Sequence, residues 1–533
     1  MAVDLQPGPQ APPDHLVKRT ARVAVSVVNT IRVPHDRYKD ETAAWFQTGS
    51  SMPAVVHDSQ VKYFVDANAA FEEMVAAIRT ANQPGHFIYM VNWFCDVDFN
   101  LLVNDNAINL RTLLTGASGQ GVKIRALLWK GIIGMSQNED AVHFLNSVKM
   151  QMTAQGPQWI PVDNPLKDAA AIWDARGNQN IGTVPFIGIL PKHAGSQHQK
   201  FLCVFGEQGL VCFCGGIDFN PDRVTQFDKK GNQVTEHGAP LHDVHCRIIG
   251  PAAMELVNLF VKKWNDHSAS AHINAKKGAP IVPPVPGKAG EQIVQVGRTL
   301  NRDAYKFAPG GERTGAALIA HAIANAKRFI YTEDQYFVGS PELLSALSTA
   351  LGRIEHFTAL VTYFRLTDLP ECQFHRSLFI KRLKAVGGSK VRIFALWPPD
   401  APAKAFKDGK VPHTYVHAKT WIVDDEFAVI GTLNSNRRSW SHDSEVCAGI
   451  YETSTDQVLH YRMAHWLRMN LWQEHLNMMS LPGSSAELAD GVASGVHWLK
   501  PPPGARVRPY DENEDAWGAN EHNLLWDEFA DPD

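Results

Sequence analysis

Apolar positions along the chain change their period several times. Between residues 64 and 80, Phe71, Met74, Val75 and Ile78 recur at the three-to-four spacing of a helix with one buried face. Pro84-Gly85 ends that pattern, and residues 86–94 form a continuous apolar run of strand length. A helix over 101–115 and a strand over 122–129 follow. Residues 150–190 show no regular period. Strand-like runs resume on both sides of the turn Gly206-Glu207-Gln208. A polar loop is expected over 219–240, a strand over 241–248 and a helix over 251–265 with an apolar face (Met254, Val257, Leu259, Phe260, Trp264). Then the order begins again. Helices are predicted over 314–326, 343–351 and 373–385, and strands over 328–337, 357–363 and 391–396. A hairpin over 419–430, a strand over 446–451 and a long amphipathic helix over 457–476 complete the series. Strands alternating with helices imply an α/β fold with parallel pairing.

The second pass repeats more than periodicity. Ser196-Gln197-His198-Gln199-Lys200 opens a strand-like run, and so does Tyr415-Val416-His417-Ala418-Lys419. In a strand, residues i and i+2 share a face, so each His and its Lys point into one space. A glycine turn with a carboxylate or amide follows each pair: Gly215-Gly216-Ile217-Asp218 and Gly431-Thr432-Leu433-Asn434. An acidic residue then opens a further strand, Asp243-Val244 in one half and Glu445-Val446 in the other. One H-x-K is weak support for anything. Two in matching surroundings of a duplicated chain point to a shared site.

Composition narrows the reading. A chain of 533 residues is long for one core, and 44% hydrophobic with 20% charged residues is ordinary globular material. The net charge of -4 argues against a general nucleic-acid binder. The seven cysteines are odd in number and mostly lie in apolar runs, which reads as buried thiols rather than a disulfide framework. No signal peptide or membrane-length apolar run is visible, so the expectation is a protein made in the cytoplasm, with signal-independent export left open. The predicted organisation is an N-terminal arm and first strand (1–40), a first half (41–270, motif 192–219), a linker (271–292), a second half (293–480, motif 411–438) and an acidic tail (481–533).

His-x-Lys-x4-Asp followed by Gly-[Gly/Ser/Thr]-x-[Asp/Asn], present twice, resembles the pattern of the phospholipase D superfamily. Gly-Gly-Ile-Asp, Asp-Val-His, Glu-Asp-Gln-Tyr-Phe and Tyr-Val-His-Ala-Lys resemble its phosphatidylcholine-type branch. The resemblance covers about residues 60–480. It departs at Phe205, which stands where the first motif expects Asp; the second motif has Asp424.

The resemblance implies two αβ halves with mixed, largely parallel sheets, packed with pseudo-twofold symmetry around one site. It also implies a phosphodiesterase that hydrolyses a glycerophospholipid to phosphatidic acid and a free alcohol, with headgroup exchange. His198 would be the nucleophile and His417 the acid. Lys200, Lys419 and Asn434 would hold phosphate oxygens, and Asp243 and Glu445 would each fix the tautomer of a His, Glu445 that of His417. On the substrate side stand Asp218, Gly216 and Thr432. Asp218, as a carboxylate, would act by orienting a lysine or backbone donors. Trp93 and Gln335 join them from the ends of the paired Phe-Ile-Tyr strands. His242 and His245 are read as strand or pocket-rim residues. The scheme uses no cofactor and no metal, and the partner is a phospholipid touched transiently at a membrane surface by a monomer, with no nucleic acid. A family nuclease or another phosphodiesterase, a membrane-embedded phospholipid synthase and a non-catalytic lipid-binding scaffold are the competing readings.

Overall fold

The computed structural model describes residues 42–513, apart from 104, 106, 131–135, 154–155, 177–194, 228–232, 236–239, 364–371, 399–413, 454–460, 480 and 482. The expected arm and first strand, the first residues of both motif segments (192–194 and 411–413) and the acidic end from 514 onward, with Trp517 and Trp526, lie outside the described residues.

Among the described residues, fifteen strands lie along one path of a mixed sheet. The first half contributes β1 (Val55–Val65), β2 (Phe87–Asn92), β3 (Lys123–Trp129), β4 (Ala169–Asp174), β5 (Phe201–Gly206), β6 (Gly209–Gly215) and β7 (Val244–Ile249). The second contributes β8 (Gln292–Leu300), β9 (Phe329–Asp334), β10 (His356–Val361), β11 (Val391–Leu396), β12 (Lys419–Val423), β13 (Phe427–Gly431), β14 (Glu445–Glu452) and β15 (Val507–Pro509). Their spatial order is β15-β11-β10-β9-β12-β13-β14-β8-β1-β7-β6-β5-β2-β3-β4. Read outward from the central β8–β1 pair, the two sides are the same list apart from β15, which has no counterpart among the described residues. β14 matches β7, β13 matches β6, and so on to β11 and β4. β2-β3-β4 and β9-β10-β11 pair in parallel. The hairpins and the central β1–β8 pair are antiparallel. The α/β class and mixed sheet expected from the sequence are the fold the chain adopts.

Local chemistry explains where elements begin. Ala67–Thr80 is a helix because its apolar stripe (Phe71, Met74, Val75, Ile78) faces the sheet and is buried. Each such side chain contributes about 1.5–3 kcal/mol by leaving water. The helix expected over 101–115 begins only at Leu110, where the Asn109 side chain accepts from Thr112 N at 2.9 Å and starts a capping box. The linker expected over 271–292 differs too. Ser270–Lys277 is a helix, and extended chain follows it into β8. Of residues 150–190, aperiodic in sequence, the described part holds most of the hairpin Val148–Thr153/Gly156–Pro161 and the strand β4. All seven cysteines are buried thiols.

The two hairpins show how the halves diverged. Asp424 lies at positive φ (56°) just after β12, and its carboxylate accepts from Lys327 N, Arg328 N and Phe329 N at 2.6–2.8 Å. It therefore fixes the entry to β9. Phe205, at the matching place, instead stacks on Phe87 (ring centroids 5.6 Å) and meets His86 edge-on. The same junction is held by ring packing.

Candidate active site

Both H-x-K segments lead into β5 and β12 at the carboxyl ends of β2 and β9. Each is docked on the opposite half. Tyr415–Val416 pairs in parallel with Leu241–His242, and His417 N donates to His242 O at 2.8 Å. His198 N donates to Ser444 O at 3.0 Å, and Ser444 N to Ser196 O at 2.7 Å. The segment carrying one half's orienting carboxylate thus runs beside the other half's histidine. His198 Nδ1 lies 2.9 and 3.0 Å from the Glu445 carboxylate oxygens. His417 Nδ1 lies 2.7 Å from Asp243 Oδ2. This corrects the expectation that Glu445 orients His417: the pairs cross between halves, because backbone pairing places Asp243 beside His417 and Glu445 beside His198. With Nδ1–H donating to a carboxylate, Nε2 of each imidazole carries the lone pair.

The lysines are held in parallel ways. Lys200 Nζ donates to His198 O at 3.0 Å and sits 3.3 Å from Asp218 Oδ2. Lys419 Nζ donates to His417 O and, at 2.8 Å, to Gln335 Oε1. Gln335 in turn donates to Tyr415 Oη at 2.7 Å. Trp93 meets His198 edge-on, ring centroids 6.0 Å apart, and its ring lies 5.7 Å from Lys200 Nζ.

Asp218 Oδ1 accepts from Trp93 N and Phe94 N, both at 3.2 Å. Its surroundings are a lysine, these backbone donors and the Asn92 amide, whose Nδ2 donates to Oδ1 at 3.4 Å. In the second half the polarity is exchanged. Asp334, at the end of β9, accepts from Ser435 N and Oγ at 2.8 and 2.7 Å, while the turn carries the amide Asn434. Asn434 is buried, and its Oδ1 has no hydrogen-bond partner among the described residues. Gly216 and Thr432 stand against the orienting carboxylates. A Cβ at Gly216 would lie 2.0 Å from Asp243 Oδ1, whereas Thr432 Oγ1 donates to Glu445 Oε2. Ser439 Oγ donates to Glu445 Oε1 at 2.6 Å.

Burial sets the electrostatics. It drives the His417 imidazole well below its ordinary 6.5, and the cations Lys419, Arg223 and Lys200 push the same way. It also brings Lys419 down to about 7, against the opposing pull of Asp243. Asp243 is raised by burial, with Lys419 and Arg223 opposing. Arg223 is the residue that sequence reasoning missed here. It is buried within the loop after β6, and nothing in that polar stretch marks it apart from its neighbours.

His242 and His245 face different surroundings. His245 is buried, and its Nδ1 accepts from Ile217 N at 3.3 Å. His242 bridges the halves: Nδ1 is 3.0 Å from Asp66 Oδ1 and Nε2 is 2.8 Å from Glu333 Oε2. His475 Nε2 reaches the same Glu333 at 2.9 Å. Burial works against a charge on His242, but Glu333 and Asp66 outweigh it and hold its pKa well above 6.5. The donor atoms of His242, Glu333 and His475, and those of Asp66, His242 and Glu474, each lie within 4.8 Å of one another. These are the sets among the described residues with the spacing of a cation site. As they stand, both His242 nitrogens are engaged by carboxylates.

Comparison with known proteins adds a family. A family model described as Phospholipase D matches residues 397–489. Phospholipase D alpha 2 of Oryza sativa subsp. japonica is 25% identical over 77% of this chain, and phospholipase D alpha 2 of Arabidopsis thaliana is 24% identical over 78%. Over most of its length the chain is similar to phospholipases D. The phospholipase D model takes in His417, Lys419, Asn434 and Glu445, while His198, Lys200 and Asp243 lie outside its span and rest on the internal repeat. The chain spans 64% of the length of either plant phospholipase D. A solved structure, phosphatidylserine synthase of Haemophilus influenzae Rd KW20, superposes with a TM-score of 0.47 and 14% identity, covering 88% of this chain and 98% of that one. Among the described residues, no helix is long and apolar enough to cross a membrane.

Proposed function

We propose that this chain is a phospholipase D: it cleaves the distal phosphodiester bond of a glycerophospholipid, releasing the headgroup alcohol and leaving phosphatidic acid. The observation that carries the reading is the pair of crossed His–carboxylate contacts with a lysine beside each histidine. His198 Nε2 attacks phosphorus. A P–N bond forms as the P–O bond to the headgroup breaks, and His417, which takes up a proton at Nε2 when the phosphate anion binds, passes that proton to the departing oxygen. His417 then removes a proton from water, which opens the phosphohistidine and regenerates His198. An added alcohol in place of water gives headgroup exchange. Lys200 and Lys419, together with Asn434, hold the non-bridging oxygens as negative charge concentrates on them. Glu445 and Asp243 keep each imidazole in the Nδ1–H tautomer. Trp93 and Gln335 position the lysines.

One chain carries the full set, so a monomer suffices. Contact with the lipid surface is transient and is made through the loop after β6, where Phe227 is exposed. Phosphatidylcholine vesicles supply the test. The protein should release choline, and should form a phosphatidyl alcohol when a primary alcohol is added. His417→Ala should lower turnover by at least about 1,000-fold. Choline release by His417→Ala at the wild-type rate would overturn the reading.

A further inference from the structure

The two motifs are held from behind by different means. In the second half, the residues flanking His417 are Val416 and Ala418, both fully buried and apolar, and Tyr415–Val416 makes a two-residue ladder with the opposite half. In the first half the flanks are Gln197 and Gln199, also fully buried, and among the described residues the ladder is the single bridge Gln197–Ser444. Two buried amides need partners, and one side chain provides for both. Lys263, fully buried on the last turn of Ala253–Asp266, donates to Gln197 Oε1 and, at 2.7 Å, to Gln199 Oε1. Asp174 Oδ2 stands 3.6 Å away. An ammonium has three N–H donors, and three acceptors surround it.

The second half shows what this replaces. Trp264 stacks on Phe260, which stacks on Tyr89, while Trp472 meets Tyr331, the counterpart of Tyr89. Aligning the two tryptophans puts Leu471, also fully buried, in the place of Lys263. One half therefore uses Lys with two Gln where the other uses Leu with Val and Ala. A buried lysine is costly to keep, and its presence calls for a role.

We propose that Lys263 is the positioning residue of the first motif, clamping Gln197 and Gln199 so that His198 and Glu445 stay in register across the two halves. The clamp reaches both partners of that pair. Gln199 Nε2 donates to Glu445 O at 2.9 Å, and the Gln197–Ser444 bridge adjoins the bond from His198 N to Ser444 O. Burial, opposed by Asp174, brings the Lys263 pKa to about 7. Arg176 and Asp174 bind each other directly behind the clamp, with Nε–Oδ1 at 2.7 Å.

The part of the proposal that concerns turnover rests on the phospholipase D reading; the part that concerns geometry does not. Lys263→Leu should lower kcat for choline release by about 10- to 100-fold, the effect of a misplaced reacting group, with KM within about twofold. In proton NMR it should also abolish the downfield Nδ1–H resonance of His198, assigned by its loss in His198→Asn. The triple change Gln197→Val, Gln199→Ala, Lys263→Leu transplants the second half's apolar set and should restore both signals. If Lys263→Leu does not fold, Gln197→Leu serves, with a smaller loss of kcat in the same direction. An unmoved His198 resonance together with wild-type kcat overturns the proposal. So does a fall in melting temperature with kcat per folded molecule unchanged. If the wild type releases no choline, the functional reading fails while the NMR comparison still decides the clamp.

Discussion

At the scale of single residues, the site stores its charge in an unusual balance. His417 and Lys419 are both depressed by burial and by neighbouring cations, so each is poised to gain a proton when an anion arrives. The sign follows directly. A phosphodiester monoanion favours the charged forms and raises both pKa values, so binding near pH 7 takes protons up. Titration calorimetry with dimethyl phosphate should give an observed enthalpy that rises with the ionisation enthalpy of the buffer. Affinity should weaken as pH climbs through about 7, where unliganded Lys419 gives up its proton. A flat or falling buffer dependence would count against these charge states. The residues involved were legible because they occur twice. Their pairing was not, because sequence distance says nothing about which half a carboxylate faces. Lys263 and Arg223 have no local signature: a cation in a helix or a polar loop reads as solvent-facing until the packing around it is known.

Elements were legible wherever a single period ran unbroken, as in Val391–Leu396 and Ala67–Thr80. They were misplaced where a cap or a composition overrode the period. Asn109 delays one helix, and the Lys- and Ala-containing start of the expected linker winds into another. The hairpins carry a prediction at this scale. Asp424→Ala removes the acceptor of three N–H groups at the entry to β9, that of Phe329 buried, and should cost about 1–3 kcal/mol in urea unfolding. Phe205→Asp would write the full motif into the first half without gaining that bond set. There the ladder runs on to Gly206–Gly209, one residue beyond position 205, whereas the second hairpin's ladder closes at Val423–Phe427, just before Asp424. It should lose about 1–3 kcal/mol through the ring contacts with Phe87 and His86, and leave kcat within about twofold.

For the whole molecule, the halves share one sheet through β1 and β8, and they share the site through bonds that cross between them. A chain divided within 279–290 should therefore give two pieces that release no choline apart. Co-expression should recover activity, measured on the co-purified complex. Activity in either piece alone would contradict the shared site. The crossing also has a historical reading. A half that lends its carboxylate outward and borrows one in return is incomplete in isolation, yet two identical halves facing each other would satisfy both debts at once. The ancestor that this geometry implies is a symmetric dimer of a single-motif chain. The exchanged amide and carboxylate positions (Asn92 and Asp218 in one half, Asp334 and Asn434 in the other), the Phe205 ring and the Lys263 clamp each break that symmetry. They could arise once duplication gave two copies, when each became free to vary without its image changing with it.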